Sequence, residues 1–305
     1  MTRKVSPDIC RAVLVAGFGT THSDALEEGI LPCEEAVRRA WPDRTVRRAF
    51  TSRGVVRVLR ERDRVLVDSP EEAARRLAGE GCRDLQVLPL IVIPGEEYHE
   101  KILKPLLALR GLFRRLVIAA PLLSATRDFQ EVLTVLEPFI PRDGGLLLMG
   151  HGSTHPANAA YGHLQCMGED RGLPIYLGTV EGYPELPQAL RRLKRDGINK
   201  VRMMPLMIVA GDHAKNDMAG PDEDSWKSRL IREGFEVEVM MRGLGGMEGV
   251  RKIFLRHLEE AGETVRENTA GADWVGRPGR ADKPGGADRQ GGIGAADAAG
   301  ETAAE

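Results

Sequence analysis

The chain has 305 residues, 42% of them hydrophobic and 29% charged, and its formal net charge is −2. This composition is that of a globular protein with room for one large domain or two lobes of ~100–150 residues. A charge this close to neutral gives no basis for nucleic acid binding. The four cysteines form no C-x-x-C pair, and the first apolar run is too short for a signal peptide or membrane helix. We therefore expect a cytoplasmic protein with no membrane segment.

Strands and helices alternate along the chain. "AVLVAGF" (12–18) is a short apolar run ending in glycine, typical of a strand buried on both faces. A helical pattern containing Pro32 follows, where we expect a kink. "SPEEAARRLAGEG" predicts a helix capped by Ser69, with Glu72 completing a capping box. The later predicted strands are "LQVLPLIVI", "RRLVIAAPLL", "GLLLMG", "PIYLGTV", "KVRMMPLMIV" and "FEVEVMM". This alternation favours α/β layers with parallel sheets.

One phrase of the sequence occurs twice. "EGCRDLQVLPLIVIPGEE" (80–97) aligns without gaps with "DGINKVRMMPLMIVAGDH" (196–213). Glu97 therefore stands in the first copy where His213 stands in the second. The match indicates that two equivalent strand ends carry different charged side chains.

The first strand of each half shows the same relationship. "VLVAGFGTTH" (13–22) aligns with "LLLMGHGSTH" (146–155), which puts Phe18 opposite His151. We predict two Rossmann-like α/β lobes with parallel central sheets, related by this internal repeat.

Composition sets the predicted domain boundaries. The first lobe spans residues 1–141 and the second spans 142–265. Residues 266–305 are rich in Gly, Ala, Asp and Pro and offer little to bury, so we expect a disordered tail.

Three polar residues follow predicted strand ends, where α/β folds place their ligand sites. These residues are Glu97, His151 and His213. Each also has a local interpretation: His151 could fix a turn, His213 could cap a helix, and Glu97 could complement a helix dipole. If they converge on one cleft, two imidazoles and a carboxylate suit a divalent transition metal and leave coordination positions open.

Basic residues cluster in "RRAFTSRGVVRVLRERD" (47–63). The stretch could be a solvated helix face, or its guanidinium groups could bind carboxylates. Under the second interpretation Arg48 and Arg57 are the candidate substrate-binding residues. His257, in "KIFLRHLEE", is expected to be a cation near a helix C-terminus.

Several motifs together carry a family resemblance. They are "FGTTHSD", "RAFTS", "GEEYHEKI", "PLLSATRDF", "MGHGSTH", "VEGYPE" and "PLMIVAGDHAKNDMAGPDEDSWK", in this order between residues 12 and 257. They resemble the anaerobic cobalt chelatases, the sirohydrochlorin cobaltochelatases of cobalamin biosynthesis, which are similar in fold to the protoporphyrin ferrochelatases. The resemblance implies a tetrapyrrole cleft between the lobes. It also implies that His151 and His213 bind Co²⁺ with Glu97 as third ligand, and that one histidine accepts pyrrole protons from sirohydrochlorin.

Alternatives remain open at this point. The metal could be Fe²⁺, with siroheme as the end product, or the protein could carry a metal or tetrapyrrole without catalysis. "LLLMGHGST" is loosely similar to the motif of histidine phosphatases, but the arginine that would bind phosphate is missing. The sequence leaves open whether the chain forms a homo-oligomer.

Overall fold

The computed structural model describes residues 10–268, which form two four-stranded sheets flanked by helices. The strands of the first sheet are β1 (Arg11–Gly17), β2 (Thr45–Phe50), β3 (Asp84–Leu90) and β4 (Arg115–Ile118). Those of the second are β5 (Gly145–Gly150), β6 (Ile175–Thr179), β7 (Lys200–Pro205) and β8 (Glu236–Val239). The strand orders are β2-β1-β3-β4 and β6-β5-β7-β8, and all neighbours are parallel. The two sheets share one topology, and the predicted two-lobed α/β fold is confirmed.

Helices cover both sheets. Those of the first half are α1 (Ser23–Ala25), α2 (Leu31–Ala40), α3 (Arg53–Arg62), α4 (Pro70–Gly79), α5 (Glu96–Tyr98), α6 (Lys104–Ala108) and α7 (Thr126–Leu136). Those of the second are α8 (Ala159–Asp170), α9 (Leu186–Arg195), α10 (Trp226–Arg232) and α11 (Glu248–Asn268). Short 3-10 turns occur at Arg110–Leu112, Glu137–Phe139, Pro156–Asn158 and Leu244–Gly246. Within residues 10–268, none of the helices combines the length and apolar character needed to cross a bilayer.

Three π-helical segments interrupt the helices, at Leu26–Ile30, His99–Leu103 and Ala214–Met218. The first lies directly before α2, so the interruption expected near Pro32 takes the form of a π turn. The other two follow Glu97 and His213, the matched positions of the sequence repeat. π turns are rare and often occur at functional sites, so both segments are candidates for parts of such a site.

The inner strands β1, β3, β5 and β7 are largely buried on both faces, as their continuous apolar runs predict, whereas the edge strands β2 and β8 are partly exposed. Val13 and Val15 of β1 belong to one hydrophobic cluster, whereas Leu14 belongs to a second cluster on the other face of the sheet. Leu146 and Leu148 of β5 join Val13 and Val15 in the first cluster. Because this cluster contains residues of both sheets, the two lobes share a common core.

The predicted capping of α4 is confirmed. The Ser69 hydroxyl accepts a hydrogen bond from the Glu72 backbone N–H, and the Glu72 carboxylate accepts one from the Ser69 backbone N–H. Gly81 follows the helix with a φ of +89°, a conformation that favours glycine and ends the helix.

Strands β3 and β7 are shorter than predicted. Their apolar runs continue past the last paired residues, but the backbone there accepts hydrogen bonds from loops. The N–H of Leu122 donates to the carbonyl of Ile91 at 2.9 Å, and that of Leu244 donates to Met207 at 2.8 Å. These extensions form walls of a cleft described below.

Helix α11 belongs to the second half of the chain but packs against the first sheet. Gln86 Nε2 donates to the carbonyl of Leu258 at 3.1 Å, and Arg115 Nη2 donates to that of Gly262 at 2.6 Å. His257 lies within this helix with only 4% of its surface exposed. The expectation that His257 lies near a helix C-terminus is therefore wrong, because α11 continues to Asn268 and the ring packs against Ala120 and Asp128 of the first lobe.

The predicted domain boundaries stay a proposal. The first sheet ends with β4 and the second begins with β5, while α11 packs on the first lobe and continues to Asn268, beyond the proposed start of the tail. The remainder of that tail, residues 269–305, lies outside the described residues.

Candidate metal centre

A cavity of about 760 Å³ opens at the carboxyl ends of the strands, and residues of both lobes line it. The first lobe contributes Phe18, Arg57 and Glu97, and the second contributes His151 and His213. The three polar residues that follow predicted strand ends thus all reach the same cleft. This is the position where open parallel sheets bind their ligands.

His151 follows β5 directly and is held between two glycines. Gly152 has a φ of +87°, and a Cβ on it would lie 2.7 Å from the carbonyl carbon of Glu181. The absence of a side chain therefore lets the segment after β6 approach closely. The N–H of Glu181 donates to the carbonyl of His151 at 2.7 Å.

Two imidazoles and one carboxylate come together at these strand ends. One ligand atom from each of His151, Glu181 and His213 lies within 4.8 Å of the others. The two imidazole centroids are 4.9 Å apart, with the rings at 85° to each other. This mixed N/O set suits a borderline divalent metal.

Hydrogen bonds orient both imidazoles. The Nδ1 atom of His151 is 3.0 Å from the carbonyl oxygen of Gly152, and that of His213 is 2.6 Å from the carboxylate of Asp217. Since both partners are acceptors, each Nδ1 carries a proton, and each Nε2 presents a lone pair. Such partners fix the ring orientation of metal-binding histidines.

Glu97, predicted as the third metal ligand, lies outside this cluster. It starts the α5 turn of the first lobe, whereas the two histidines and Glu181 all follow strands of the second sheet. Within residues 10–268, its buried Oε1 atom has no hydrogen-bond partner. A buried acceptor without a donor is costly, so Glu97 is suited to receive a donor from a ligand in the cleft.

The two candidate arginines have different surroundings. Arg57 lines the cavity and, within the described part of the chain, makes no ion pair. Arg48 instead donates two hydrogen bonds, of 2.5 and 3.0 Å, to the carboxylate of Glu34, which is 2% exposed. Arg48 pairs with this buried acid and is not among the residues that line the cavity.

An ion pair joins the two lobes beside His213. Lys215 Nζ donates to both carboxylate oxygens of Asp24, at 2.9 and 2.7 Å. This hydrogen bond holds the pKa of Asp24 below its ordinary value. The π-helical segment that begins after His213 is thereby tied to the first lobe.

Sequence reasoning missed Glu181 and Asp217. Glu181 stands two residues after β6, so its position at a strand end was a usable signal. Its proximity to His151 depends on β6 pairing with β5, which the sequence does not state. Asp217 lies four residues after His213, a spacing at which helical side chains meet.

Comparison with known proteins agrees with this geometry. Residues 11–263 match the cobalt chelatase (CbiK) family. The chain is 40% identical over 263 residues to the sirohydrochlorin cobaltochelatase of Salmonella typhimurium, covering 85% of this chain and 99% of that protein. It is 33% identical over 257 residues to the sirohydrochlorin cobaltochelatase CbiKC of Nitratidesulfovibrio vulgaris, covering 82% and 90%. The solved structure of SirB from Bacillus subtilis with Fe³⁺ shares the fold, with a TM-score of 0.55 and 16% identity over 85% of this chain and 98% of that one.

The protein therefore consists of two α/β lobes, each with a parallel sheet, and a His-His-Glu cluster that could hold a metal ion lies in the cleft between them. The chain belongs to the cobalt chelatase (CbiK) family, and the resemblance found in its sequence is confirmed.

Proposed function

We propose that the protein inserts Co²⁺ into sirohydrochlorin, as a sirohydrochlorin cobaltochelatase of cobalamin biosynthesis. The observation that carries this proposal is the cluster of His151, Glu181 and His213 inside a cavity large enough for an organic ligand. The relatives named for this reaction are similar over nearly their whole length, which supports the same substrate here.

The three clustered side chains hold the metal substrate. Nε2 of each imidazole and a carboxylate oxygen of Glu181 replace part of the water shell of Co²⁺. The carboxylate also offsets one positive charge. Three protein donors leave coordination positions open for the nitrogens of the incoming macrocycle.

Insertion releases two pyrrole protons for each Co²⁺ that enters the ring. Once Co²⁺ has moved from an imidazole to the ring nitrogens, the freed Nε2 lone pair can accept such a proton, so His151 and His213 are the candidate bases. The Asp217 carboxylate lies 2.6 Å from Nδ1 of His213 and orients its ring, which favours His213 for this role. Glu97, with its unpaired oxygen, faces the macrocycle from the first lobe and can accept an N–H hydrogen bond.

Cationic side chains at the cleft fit a polycarboxylate substrate. Arg57 and Lys101 line the cavity, and neither makes an ion pair within residues 10–268. Both are therefore available to the peripheral carboxylates of sirohydrochlorin. The cleft walls at 90–93 and 206–209 are apolar and suit the flat ring.

The proposal includes a cytoplasmic location and Co²⁺ as the metal. The cysteines Cys10, Cys33, Cys82 and Cys166 are all free, which fits the reducing cytoplasm. Fe²⁺ insertion and a non-catalytic carrier are the competing functions.

Anaerobic absorbance spectroscopy tests the proposal directly. The purified protein is mixed with sirohydrochlorin and either Co²⁺ or Fe²⁺, and formation of the metallated product is followed over many turnovers. We expect faster turnover with Co²⁺, near-complete loss in His213→Ala and His151→Ala, and wild-type rates in His163→Ala, an exposed histidine outside the cleft. One equivalent of bound product without turnover would identify a carrier, and a preference for Fe²⁺ would overturn the assigned metal.

A further inference from the structure

Phe18 occupies the position in the first lobe that His151 occupies in the second. Phe18 follows β1 as His151 follows β5, and each lies between two glycines. The second glycine has a φ of +94° in the first lobe and +87° in the second. The same backbone turn therefore carries a metal-binding type of side chain in one lobe and an aromatic ring in the other.

The turn keeps Phe18 out of the core. A Cβ on Gly19 would lie 2.6 Å from the ring of Phe50, so this turn packs tightly on an aromatic residue already buried beneath it. Phe18 lines the cavity and remains 50% exposed. Leaving a large aromatic side chain half exposed forgoes hydrophobic stabilisation, which a flat apolar ligand would restore.

We propose that Phe18 is a positioning residue that packs against the face of the tetrapyrrole ring and presents the ring to the metal held by the second lobe. This inference rests on the proposed function. A phenyl ring offers no metal ligand, but it can stack on a conjugated macrocycle. The repeated turn thus serves two tasks, with His151 holding the metal and Phe18 holding the organic substrate.

Separate binding measurements with each substrate test this division. Anaerobic binding of metal-free sirohydrochlorin is followed by quenching of tryptophan fluorescence, and binding of Co²⁺ alone by calorimetry. In Phe18→Ala we expect sirohydrochlorin affinity to fall about tenfold, the size of one lost aromatic contact, with Co²⁺ affinity unchanged. Phe18→Trp keeps a stacking surface and should retain most of the affinity for sirohydrochlorin.

Leu66→Ala is the matched control, because Leu66 is 76% exposed and does not line the cavity. It should bind both substrates as the wild type does. Wild-type sirohydrochlorin affinity in Phe18→Ala, with an active wild-type enzyme, would overturn the role of Phe18 alone. A wild-type protein that neither binds sirohydrochlorin nor metallates it would overturn the proposed function, and the role of Phe18 with it.

Discussion

The backbone N–H of Glu181 donates a 2.7 Å hydrogen bond to the carbonyl oxygen of His151, which extends the pairing of β5 and β6 beyond the ends of both strands. Two of the three residues proposed to hold the metal are thus tied together by main chain. The contact requires Gly152, because its missing side chain leaves room for the Glu181 segment.

Gly152→Ala should therefore damage both stability and metal binding. The new methyl group would lie 2.7 Å from the Glu181 backbone, at a φ of +87° that an alanine adopts only with strain. We expect a lower melting temperature and a Co²⁺ affinity at least tenfold weaker, measured by thermal unfolding and calorimetry. Gly172→Ala is the control, since Gly172 has a φ of +66° but open space around it. If both variants bind Co²⁺ equally well, the contact does not position Glu181.

Asp217 should matter for metal binding through His213 alone. Its carboxylate lies 2.6 Å from Nδ1 and leaves Nε2 as the donor atom. In Asp217→Asn, the amide can donate to Nδ1 and favour the wrong tautomer. We expect a loss of ~10–100-fold in Co²⁺ affinity, as for other partners of metal-binding histidines. The exposed Asp224, replaced by asparagine, controls for the lost charge, and equal affinities in the two variants would argue against this role.

Substitutions of Glu181 and Glu97 should have different effects on Co²⁺ binding and on the reaction with sirohydrochlorin. Glu181→Gln removes an anionic donor from the cluster, so Co²⁺ affinity should fall at least tenfold. Glu97→Gln should leave Co²⁺ affinity nearly unchanged and lower the maximal rate at saturating metal, because Glu97 lines the part of the cavity proposed to take the macrocycle. Exposed Glu259→Gln is the control. Weakened Co²⁺ binding in Glu97→Gln would restore Glu97 as a metal ligand.

Much of the fold could be predicted from the sequence because the inner strands of both sheets are buried on two faces, which produces continuous apolar runs. The C-terminal ends of β3 and β7 could not be predicted, since the apolar run continues where pairing with a neighbouring strand stops. Strand ends identified Glu97, His151 and His213 as candidate site residues, and all three line the cavity. The place of Glu181 in the site depends on the pairing of β6 with β5, which the sequence around Glu181 does not reveal.

The two arginines illustrate the same limit. Arg48 and Arg57 lie in one basic stretch, and only the position of Glu34 on α2 distinguishes them. Arg57→Ala should weaken sirohydrochlorin binding at low ionic strength, and added salt should reduce the difference from the wild type. Arg48→Ala should leave that affinity unchanged and lower the melting temperature, because it removes a partner of the buried Glu34. Fluorescence titration at two salt concentrations measures both variants, and equal binding in Arg57→Ala and the wild type would remove Arg57 from the site.

A buried ionic network that joins α7 to α11 should set the acid stability of the fold. Asp128 is fully buried and accepts hydrogen bonds from Arg256 Nη2 at 2.7 Å and from His257 Nε2 at 2.8 Å. The Nδ1 atom of His257 lies 3.1 Å from the carbonyl oxygen of Ala120, so both ring nitrogens face acceptors.

The charge on Asp128 is maintained despite its burial. Burial alone would raise the pKa of Asp128, but hydrogen bonds from His257, Arg256 and the Ala125 N–H together lower it below its ordinary value. A carboxyl group whose pKa is lowered by folding stabilises the native state above its unfolded pKa of ~3.9. That contribution is lost as the pH falls through the lower, folded pKa.

Asp128→Asn should therefore cost ~3–5 kcal/mol of unfolding free energy near pH 7, because it removes the buried anion that pairs with the Arg256 guanidinium and accepts from the His257 ring. Urea unfolding at a series of pH values measures the difference between wild type and variant. This difference should stay constant near neutrality and shrink below pH ~3.9, where the carboxyl group of the unfolded chain binds a proton before that of the folded protein does. The exposed pair of Arg11 and Asp43 provides the control, since Asp43→Asn should cost at most ~1 kcal/mol. A cost for Asp128→Asn as small as that of Asp43→Asn, or one that persists unchanged at pH ~2, would show that the network does not depend on the charge of Asp128.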